Sequence, residues 1–560
     1  MDTLSHKTVA ELRIQPPAGA NSMKITSDQL PGMSALYNDY VNNFDQVAPF
    51  YQYDFHDENN FRLQVEKVQS RKYPREKLGR ILLQQNKKWG AGNKTLENIN
   101  CLTNNNANVI VTGQQTGLFG GPLYVLYKAL TAIKLADKLG RTCNNGFIPV
   151  FWLAADDSDF AEVNHTHVID RHNKLQRITY DLAHDQKQPM ATTKISGDIE
   201  NLFDSVRNFF HDTEFKDPLF HYLQQAYTPG TSFSDAFGHW LMHCLQDFGI
   251  VLIDPSDPEI KKMLTAVYQQ EIEQNSPSTQ AVIEASNALQ KLEYHNQIQI
   301  RQGRFNIFYN AEGRLGLEQR EGDIIAGDAQ ISFGQDELLQ ELQNHPEKFS
   351  PNVALRAITQ DTLFPTVAYI AGPAEAAYFA QLKGVYERFD IPMPIIYPRK
   401  SVTIIEPAID RLLDKHQLSI LDLWQPIDKL IGQVVRGNVS DTFFHQIHTL
   451  QEEIPGKLSA LSEELNKIDP TLEKMLLNTS GKINAAFGNL EKKAVQAARR
   501  KETQLQNQIT RLGEAIYPNN TLQERVFNFV PYMLKYGPHF IEKLYEDLTI
   551  STFDHQLIHM

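Results

Sequence analysis

The sequence predicts an α/β protein in which a parallel sheet carries an insertion and is followed by a long helical hairpin. Two apolar runs of strand length, 109–112 and 147–154, flank a segment whose apolar residues recur at three- and four-residue steps over 123–139. Two strands joined by one helix form a β-α-β unit with a parallel pair. A similar strand, helix and strand pattern at 364–397 predicts that the sheet continues far downstream.

The segment between the first strand and its helix is a polar, glycine-rich turn. Loop amides and a helix N-terminus together favour an anion, so the turn predicts a phosphate or carboxylate site. Its glycine spacing matches neither the P-loop pattern nor the dinucleotide pattern G-x-G-x-x-G. A tight turn whose glycines serve packing is the alternative. The expected binding residues are Gln114, Gln115, Thr116, Gly117, Gly120, Gly121 and Tyr124, with Lys128 on the second turn of the helix.

An acidic cluster, Asp156, Asp157 and Asp159, follows the second strand. The carboxyl ends of parallel strands meet at one edge of a sheet, so we expect the cluster beside the glycine-rich turn. These carboxylates are candidates for holding Mg²⁺, a ribose or a substrate ammonium; a solvated loop or helix cap is the alternative. The nearby zinc candidates are His165 and His167, and zinc is the weaker expectation because the three cysteines form no Cys-x-x-Cys pair.

The downstream half of the predicted sheet adds polar residues to the same edge. Gly372-Pro373 precedes a helix that we expect from Ala374 to about Phe389, with Glu375 in its first turn. The last strand ends in Pro398-Arg399-Lys400-Ser401, which is suited to clamping phosphates, unless it is an ordinary surface loop. Further candidates for the pocket are Arg356, Tyr369 and Tyr378, and each tyrosine has core packing as its alternative role.

Length and charge exclude several classes of protein. A chain of 560 residues is expected to form about two or three units. The formal charge of -13 argues against a nucleic-acid partner, because binding a polyanion requires a basic face. No apolar run approaches membrane-spanning length, and the N-terminus lacks a signal-peptide pattern. We therefore expect a cytoplasmic protein with no membrane partner.

Changes of pattern along the chain predict four regions. Residues 1–170 and 346–415 would form the core, which begins with mixed loop and helix and a polar surface helix near 60–88. Residues 171–345 would form an insertion with helices, a strand at 250–253 and a hairpin at 305–317. Residues 416–516 have apolar residues at near-heptad steps, which predicts a coiled-coil hairpin that packs within one chain or forms a dimer. Residues 517–560 would form short helices that pack on the core.

Together these segments resemble the bacillithiol biosynthesis cysteine-adding enzyme family, whose members are described as cysteine ligases. The resemblance covers nearly the whole chain in order, with Ala357 standing where proline is expected. The matching motifs are Thr112-Gly113-Gln114-Gln115-x-Gly117, Gly121-Pro122-Leu123-Tyr124, Phe151-Trp152-x-x-x-Asp156-Asp157-x-Asp159, Asn352-Val353-x-Leu355-Arg356, Gly372-Pro373-x-Glu375-x-x-Tyr378, Pro398-Arg399-x-Ser401 and Leu522-Gln523-Glu524-Arg525.

The resemblance implies a nucleotidyltransferase-like Rossmann core related to class I aminoacyl-tRNA synthetases, and a coiled coil that forms a homodimer. The implied reaction joins cysteine to the amino group of glucosaminyl-malate, the last step of bacillithiol synthesis. ATP or another nucleotide is implied by analogy, since the sequence contains neither His-x-Gly-His nor Lys-Met-Ser-Lys-Ser.

Forming an amide from a free carboxylate requires an activated acyl group, here a cysteinyl intermediate. In this hypothesis Lys128, Arg399 and Ser401 stabilise phosphate charge. Asp156, Asp157 or Glu375 would bind an ammonium or accept the proton lost by the amine, and Arg356 would bind the malate carboxylates. Arg399→Ala and Asp157→Asn are expected to abolish ligation without unfolding the protein. Another amide ligase of the nucleotidyltransferase type and a non-catalytic coiled-coil scaffold with a relic pocket remain alternatives.

Overall fold

The computed structural model describes residues 24–560, except 105–106, 143–145, 183–187, 312, 329–330, 439–440 and 502. The expectation that the N-terminus carries no signal peptide concerns residues 1–23 and lies outside the described residues. Within the described ranges, no helix combines the length and the apolar character needed to cross a membrane.

A parallel sheet forms the centre of the fold, as predicted, and it has five strands. In sheet order the strands run β5-β4-β1-β2-β3, which is the order of a Rossmann fold. The order reverses between β1 and β4, and ligands of such sheets bind outside the carboxyl ends of the strands at this switch point. The strands are β1 (Asn108–Gln114), β2 (Phe147–Leu153), β3 (Val251–Ile253), β4 (Thr366–Ala371) and β5 (Ile395–Pro398).

Helices cover the sheet, which is why its strands are nearly continuous apolar runs. Helix Leu123–Thr142 packs against β1 and β2, and it is followed in the chain by β2. The polar surface helix expected near 60–88 is in fact two helices, Glu58–Gln69 and Arg75–Lys88. The first packs on β4 and the second on β3, each through one apolar face. Most of their polar residues lie on the opposite faces. The remaining helices before the sheet are Ala35–Asn42 and Asn93–Asn104.

The middle of the chain contributes two separate additions to this sheet, because the strand expected at 250–253 is β3, an edge strand of the central sheet. Between β2 and β3 lie a short antiparallel hairpin and a group of helices. Between β3 and β4 lie further helices and an antiparallel sheet of five strands, which includes the predicted hairpin. The first addition comprises Phe160–Val163, His165–Ile169, Leu175–Thr179, Asp198–Arg207, Lys216–Ala226 and Phe233–Leu245. The second comprises Pro258–Glu273, Pro277–Lys291, Arg304–Asn310, Arg314–Arg320, Asp323–Ala326, Ile331–Phe333, Gln335–Asn344, Phe349–Pro351 and Val353–Leu363.

The C-terminal part contains the predicted helical hairpin. Helix Asp441–Ser459 packs against the 30-residue helix Leu472–Lys501, and the connection between them contains the short helix Ser462–Ile468 followed by a turn with Pro470. Apolar side chains remain exposed along this hairpin, at Leu450, Leu461, Ile468, Met475, Leu477 and Leu490. The helices of this region are Pro407–His416, Ile420–Leu423, Ile427–Asn438, Asp441–Ser459, Ser462–Ile468, Leu472–Lys501 and Thr503–Ile516.

The last 44 residues return to the central domain. Strand Gln556–His559 pairs in parallel with strand Val402–Ile405, directly after the loop that follows β5. The backbone N–H of Leu123 donates to the carbonyl oxygen of Phe527 at 2.7 Å. The tail therefore packs on the first turn of the helix that follows β1. Its helices are Gln523–Val526, Val530–Tyr536 and His539–Asp547, and the helices after β4 are Pro373–Phe379 and Lys383–Arg388.

Candidate active site

A cavity of about 660 Å³ lies outside the carboxyl ends of β1, β2 and β4, at the switch point of the sheet. This volume is in the range of sites for small organic ligands. Its wall combines the core with the inserted antiparallel sheet and the C-terminal tail. The polar and aromatic lining residues are Gln114, Gln115, Tyr124, Lys128, Trp152, Asp156, Asp157, Glu162, Phe308, Arg314, Asn352, Arg356, Tyr369, Glu375, Tyr378, Arg399 and Arg525.

Lys128 connects the two sides of the switch point. Its Nζ donates to the carbonyl oxygen of Gly113 at 2.8 Å and to Oε1 of Gln114 at 2.9 Å, both at the end of β1. It also forms an ion pair with Glu375, which follows β4. Only 2% of the Lys128 side chain is exposed, and this burial lowers its pKa although Glu375 favours the charged form.

Glu375 is fixed from three sides. Its carboxylate accepts the backbone N–H of Gly372 and the hydroxyl of Tyr369, both at 2.8 Å, in addition to Lys128. Burial alone would raise the pKa of Glu375, but the ion pair and these donors outweigh it and lower the pKa. A Cβ on Gly372 would lie 3.2 Å from the carboxylate, so this close approach favours glycine. The pair of opposite charges is therefore preorganised at the cavity wall.

Arg356 lies beside this pair among aromatic side chains. Its guanidinium donates to Oε1 of Gln360 at 3.1 Å. It also donates to the hydroxyls of Tyr369 and Tyr378, each at 3.3 Å. Burial disfavours its charge, but the two tyrosines and Glu375 outweigh it and raise the pKa. The structure thus brings Arg356 and both predicted tyrosines to the cavity, where several guanidinium donors already have protein acceptors.

The three aspartates of the acidic cluster lie in different environments. Both carboxylate oxygens of Asp156 bind Nζ of Lys261, at 2.8 and 2.6 Å. Asp157 accepts a hydrogen bond from Nε2 of Gln115 at 2.7 Å through one carboxylate oxygen and from the N–H of Ser158 at 2.8 Å through the other, and it lines the cavity. Asp159 is exposed, caps helix Phe160–Val163 by accepting N–H of Glu162 at 3.2 Å, and is not among the lining residues. The helix-cap alternative therefore describes Asp159, and Asp157 is the member whose carboxylate is most available to a ligand.

The glycine-rich turn differs from the anion cradle that the sequence predicts. The N–H of Gly120 donates to the carbonyl oxygen of Gly117, and that of Gly121 donates to Leu118, at 3.0 and 3.1 Å. Gly120 has a φ of +92°, and a Cβ there would lie 2.6 Å from the ring of Phe529. The C-terminal tail thus packs on the turn, and the N–H groups of three of the turn's glycines are accepted by carbonyl oxygens of the turn itself, so the packing alternative describes this segment better.

The predicted binding residues of the turn consequently separate into three groups. Gln114, Gln115 and Tyr124 line the main cavity, whereas Thr116 is completely buried and neither Thr116 nor Gly120 is among its lining residues. Gly117 and Gly121 line a smaller side cavity of about 130 Å³, together with His165 and His167. Among the described residues, no group of three or more histidine, cysteine, aspartate or glutamate side chains could hold a metal ion.

The loop after β5 is buried rather than an ordinary surface loop. Arg399 lines the cavity and donates to both carboxylate oxygens of Glu524, at 3.0 and 2.6 Å. Burial disfavours the charge of Arg399, but Glu524 outweighs it and raises the pKa. The hydroxyl of Ser401 donates to the same carboxylate at 3.1 Å, and Ser401 is not among the lining residues. The tail residue Glu524 therefore fixes the loop that the sequence assigned to phosphate binding.

His555, also from the tail, gives the fold a pH dependence. It lies 2.7 Å from the hydroxyl of Ser401 and 2.8 Å from that of Thr403, and burial lowers its pKa from 6.5 to about 4. The imidazole of His555 binds a proton more tightly in the unfolded chain than in the folded protein. The contribution of His555 to the free energy of unfolding is therefore fully present above pH 6.5 and is lost as the pH drops towards 4. We expect wild type to lose about 3 kcal/mol relative to His555→Gln over this interval.

Urea unfolding of wild type and His555→Gln at several pH values checks this difference. The comparison is needed because burial raises the pKa of Asp254 and of Asp361 to about 6. Protonation of these two carboxylates stabilises the fold as the pH falls, which opposes the effect of His555. Parallel pH curves for the two proteins would contradict the assignment to His555.

The residues of the site that were not predicted from the sequence as functional include Lys261, Arg314, Glu524 and Arg525. Lys261 and Arg314 belong to the addition between β3 and β4, where no local motif marks them. Glu524 and Arg525 were part of the family resemblance, and this was the available signal for them.

Comparisons with known proteins agree with that resemblance. A family model described as "Bacillithiol biosynthesis BshC, N-terminal Rossmann-like domain" matches residues 23–400, and the "C-terminal coiled-coil domain" of BshC matches residues 402–560. A "Putative cysteine ligase BshC" from Chlorobaculum tepidum is 34% identical over 554 residues, covering 94% of this chain and 97% of the relative. A protein of the same name from Salinibacter ruber is 32% identical over 531 residues, covering 93% and 96%.

A solved structure described as a "putative arginyl T-RNA synthetase" from Campylobacter jejuni has 9% sequence identity and a TM-score of 0.22. It covers 84% of this chain and 98% of that chain. A likeness this weak leaves the relationship to class I synthetases a prediction.

Proposed function

Because the chain belongs to the bacillithiol biosynthesis BshC family, we propose that it is a ligase that joins cysteine to the amino group of glucosaminyl-malate. The observation that supports this most strongly is the cavity at the switch point, where charged side chains from four parts of the chain converge. Perturbed ionisable groups in a cavity of this size are typical of catalytic sites.

The amide bond forms when the substrate amine attacks the carbonyl carbon of an activated cysteine. A nucleotide, when bound, would supply this activation by making the carboxylate oxygen a leaving group. The C–N bond forms, the C–O bond to the leaving group breaks, and the amine loses a proton. Lys128 and Arg525 at the cavity wall carry positive charges that suit an anionic nucleotide, and this is the fit that the described residues offer to such a group. The identity of the nucleotide and a role for Mg²⁺ stay predictions.

Asp157 is the best placed acceptor for the proton of the amine. Asp156 is held by Lys261 and Glu375 by Lys128, both through buried ion pairs. The guanidinium nearest to Asp157 is that of Arg314, at 3.6 Å, which is longer than a hydrogen bond. We therefore assign the general base to Asp157.

The Asp157→Asn variant should lower kcat by about 10²- to 10⁴-fold, because an amide cannot take up the proton at neutral pH. Asparagine has one side-chain oxygen, which can accept Gln115 or the backbone N–H of Ser158 but not both, so the melting temperature should fall only slightly, because one hydrogen bond contributes about 1 kcal/mol. Asp159→Asn is the matched control, since asparagine also caps helices and Asp159 is not among the residues that line the cavity. Steady-state ligation kinetics and thermal melts decide the assignment; equal rates for the two variants would refute it.

The function itself is tested by incubating the protein with cysteine, glucosaminyl-malate and one nucleotide at a time. Mass spectrometry should detect the amide only when all three are present. With cysteine labelled with ¹⁸O in its carboxylate, one labelled oxygen should be transferred to a phosphate of the nucleotide. A different acid and amine in the product would support the alternative amide ligase. Absence of both ligation and small-molecule binding would support the scaffold alternative.

The exposed apolar side chains of the hairpin support a homodimer formed through the coiled coil. Ile468 is 75% and Met475 58% exposed, as expected for a seam that a second helix pair covers. Replacing both by glutamate should convert the protein to a monomer in analytical ultracentrifugation, and Lys474→Glu serves as a control for added negative charge. A dimer that persists in the double variant would exclude this seam. A cytoplasmic location stays a prediction.

A further inference from the structure

We propose that Arg314, from the inserted antiparallel sheet, binds a carboxylate of the amine substrate and thereby determines which amine is accepted. This inference rests on the proposed function and specifies its substrate recognition. Arg314 lies at the start of strand Arg314–Arg320, outside the Rossmann core, and its side chain reaches the cavity wall.

The guanidinium of Arg314 is held rigidly before any ligand binds. It stacks over the ring of Phe308, with 4.0 Å between the guanidinium carbon and the ring centroid. Its Nε donates to the hydroxyl of Ser350 at 3.2 Å, and its NH2 donates to the carbonyl oxygen of Pro351 at 2.7 Å. Since the side chain is already ordered, a ligand would gain its hydrogen bonds at little further entropic cost.

The remaining edge of this guanidinium suits an anionic ligand. NH1 has Asp157 as its nearest carboxylate, at 3.6 Å, which is an ion pair without a hydrogen bond. Only 13% of the Arg314 side chain is exposed, so its charge is largely removed from water. Burial lowers the pKa of Arg314, while Asp156 and Asp157 favour the charged form. A carboxylate beside NH1 would supply the hydrogen-bond acceptor that Asp157 is too distant to provide.

The other cations of the cavity are less suited to this role. Arg525 also lines the cavity, but among the described contacts no hydrogen bond fixes its side chain before a ligand binds. Arg399 is engaged with both oxygens of Glu524, and Lys128 with Glu375. Arg356, which the sequence suggested for the malate carboxylates, donates to a glutamine and two tyrosines. Arg314 combines a fixed position with a donor edge that has no hydrogen-bond acceptor among those described.

The neighbouring Asp157 indicates which substrate carries the carboxylate. Arg314 and Asp157 present opposite charges 3.6 Å apart. An amino sugar with its amine on C2 and an acidic group linked at C1 carries its amine and its carboxylates on substituents of adjacent ring carbons, so the two groups can face Asp157 and Arg314 at the same time. The carboxylate of cysteine is the reacting group and must be free to be activated, so a fixed guanidinium would oppose its reaction. The geometry thus assigns Arg314 to the amine substrate.

The test compares two acceptors, glucosaminyl-malate and methyl glucosaminide, which has the same amine but no carboxylate. Wild type should prefer glucosaminyl-malate in kcat/KM. Arg314→Gln should reduce kcat/KM for glucosaminyl-malate by about 10- to 100-fold and change that for methyl glucosaminide by less than about threefold. The KM for cysteine should stay unchanged. Arg314→Lys keeps the charge without the planar fork and should show an intermediate preference.

The control is Arg320→Gln on the same strand, whose guanidinium pairs with Glu318 at the surface. Equal losses for both acceptors in Arg314→Gln and Arg314→Lys would show that Arg314 only supports the fold, and would overturn the inference while the proposed function stands. A wild type that ligates neither acceptor to cysteine would overturn the proposed function, and the inference with it.

Discussion

Replacing Lys128 by methionine should lower kcat/KM for ligation by at least about 10²-fold. Nζ of Lys128 holds the end of β1 and the carboxylate of Glu375 in one arrangement, and methionine offers no donor. The substitution removes a fixed positive charge from the place where the anionic reactants meet. Removing one such stabilising group from other enzymes lowers the rate by a similar factor. A variant within threefold of wild type would contradict this role.

The same substitution should also destabilise the fold, because Glu375 would remain buried without its counter-ion. The double variant Lys128→Met, Glu375→Gln separates the two effects. It removes both charges, and glutamine can still accept the N–H of Gly372, so stability should recover towards that of wild type while ligation stays lost. Recovery of ligation in the double variant would show that the single variant failed through unfolding alone. Thermal melts and initial rates measured on the same samples give both quantities.

Replacing Arg399 by alanine should destabilise the protein by about 3–5 kcal/mol. The side chains of Arg399 and Glu524 are each only 2% exposed, and alanine would leave the carboxylate buried and unpaired. The sequence alone led to the expectation that this variant loses ligation without unfolding, whereas the buried ion pair predicts that it also loses stability. Urea unfolding should show the decrease in midpoint; an unchanged midpoint would contradict the structure of this pair.

Arg399→Met combined with Glu524→Gln is the matched control for that prediction. It removes both charges. The glutamine oxygen can still accept the hydrogen bond that the N–H of Val402 donates to the Glu524 carboxylate at 2.9 Å. Replacing a buried ion pair by neutral groups of similar volume is often tolerated. The double variant should therefore be more stable than Arg399→Ala. If it retains ligation, Arg399 serves the fold and not the reaction.

The sequence correctly predicted those helices and strands that depend only on the pattern of neighbouring residues. The apolar runs of β1 and β2 and the helical periodicity after β1 follow from burial and repeat length, and both are confirmed. The convergence of Gln114, Asp157 and Glu375 on one cavity follows from the geometry of parallel strands.

Features that depend on distant partners could not be predicted in this way. A glycine-rich turn binds an anion only if its amides are free, and here internal carbonyl oxygens accept the N–H groups of Gly117, Gly120 and Gly121, while Phe527 accepts that of Leu123. The partner of Asp156 is Lys261, more than a hundred residues later, and the partner of Arg399 lies in the tail. Arg314 reaches the cavity because an inserted sheet folds over the end of β2, which periodicity along the chain does not reveal.

The central claim is that the cavity at the switch point is where the reactants meet. A crystal of the protein soaked with glucosaminyl-malate and ATP tests it most directly. We predict density for the amino sugar in the cavity, with its amine beside Asp157 and a carboxylate beside Arg314. Ligands bound elsewhere, with this cavity empty in crystals of protein that is active in solution, would contradict the account.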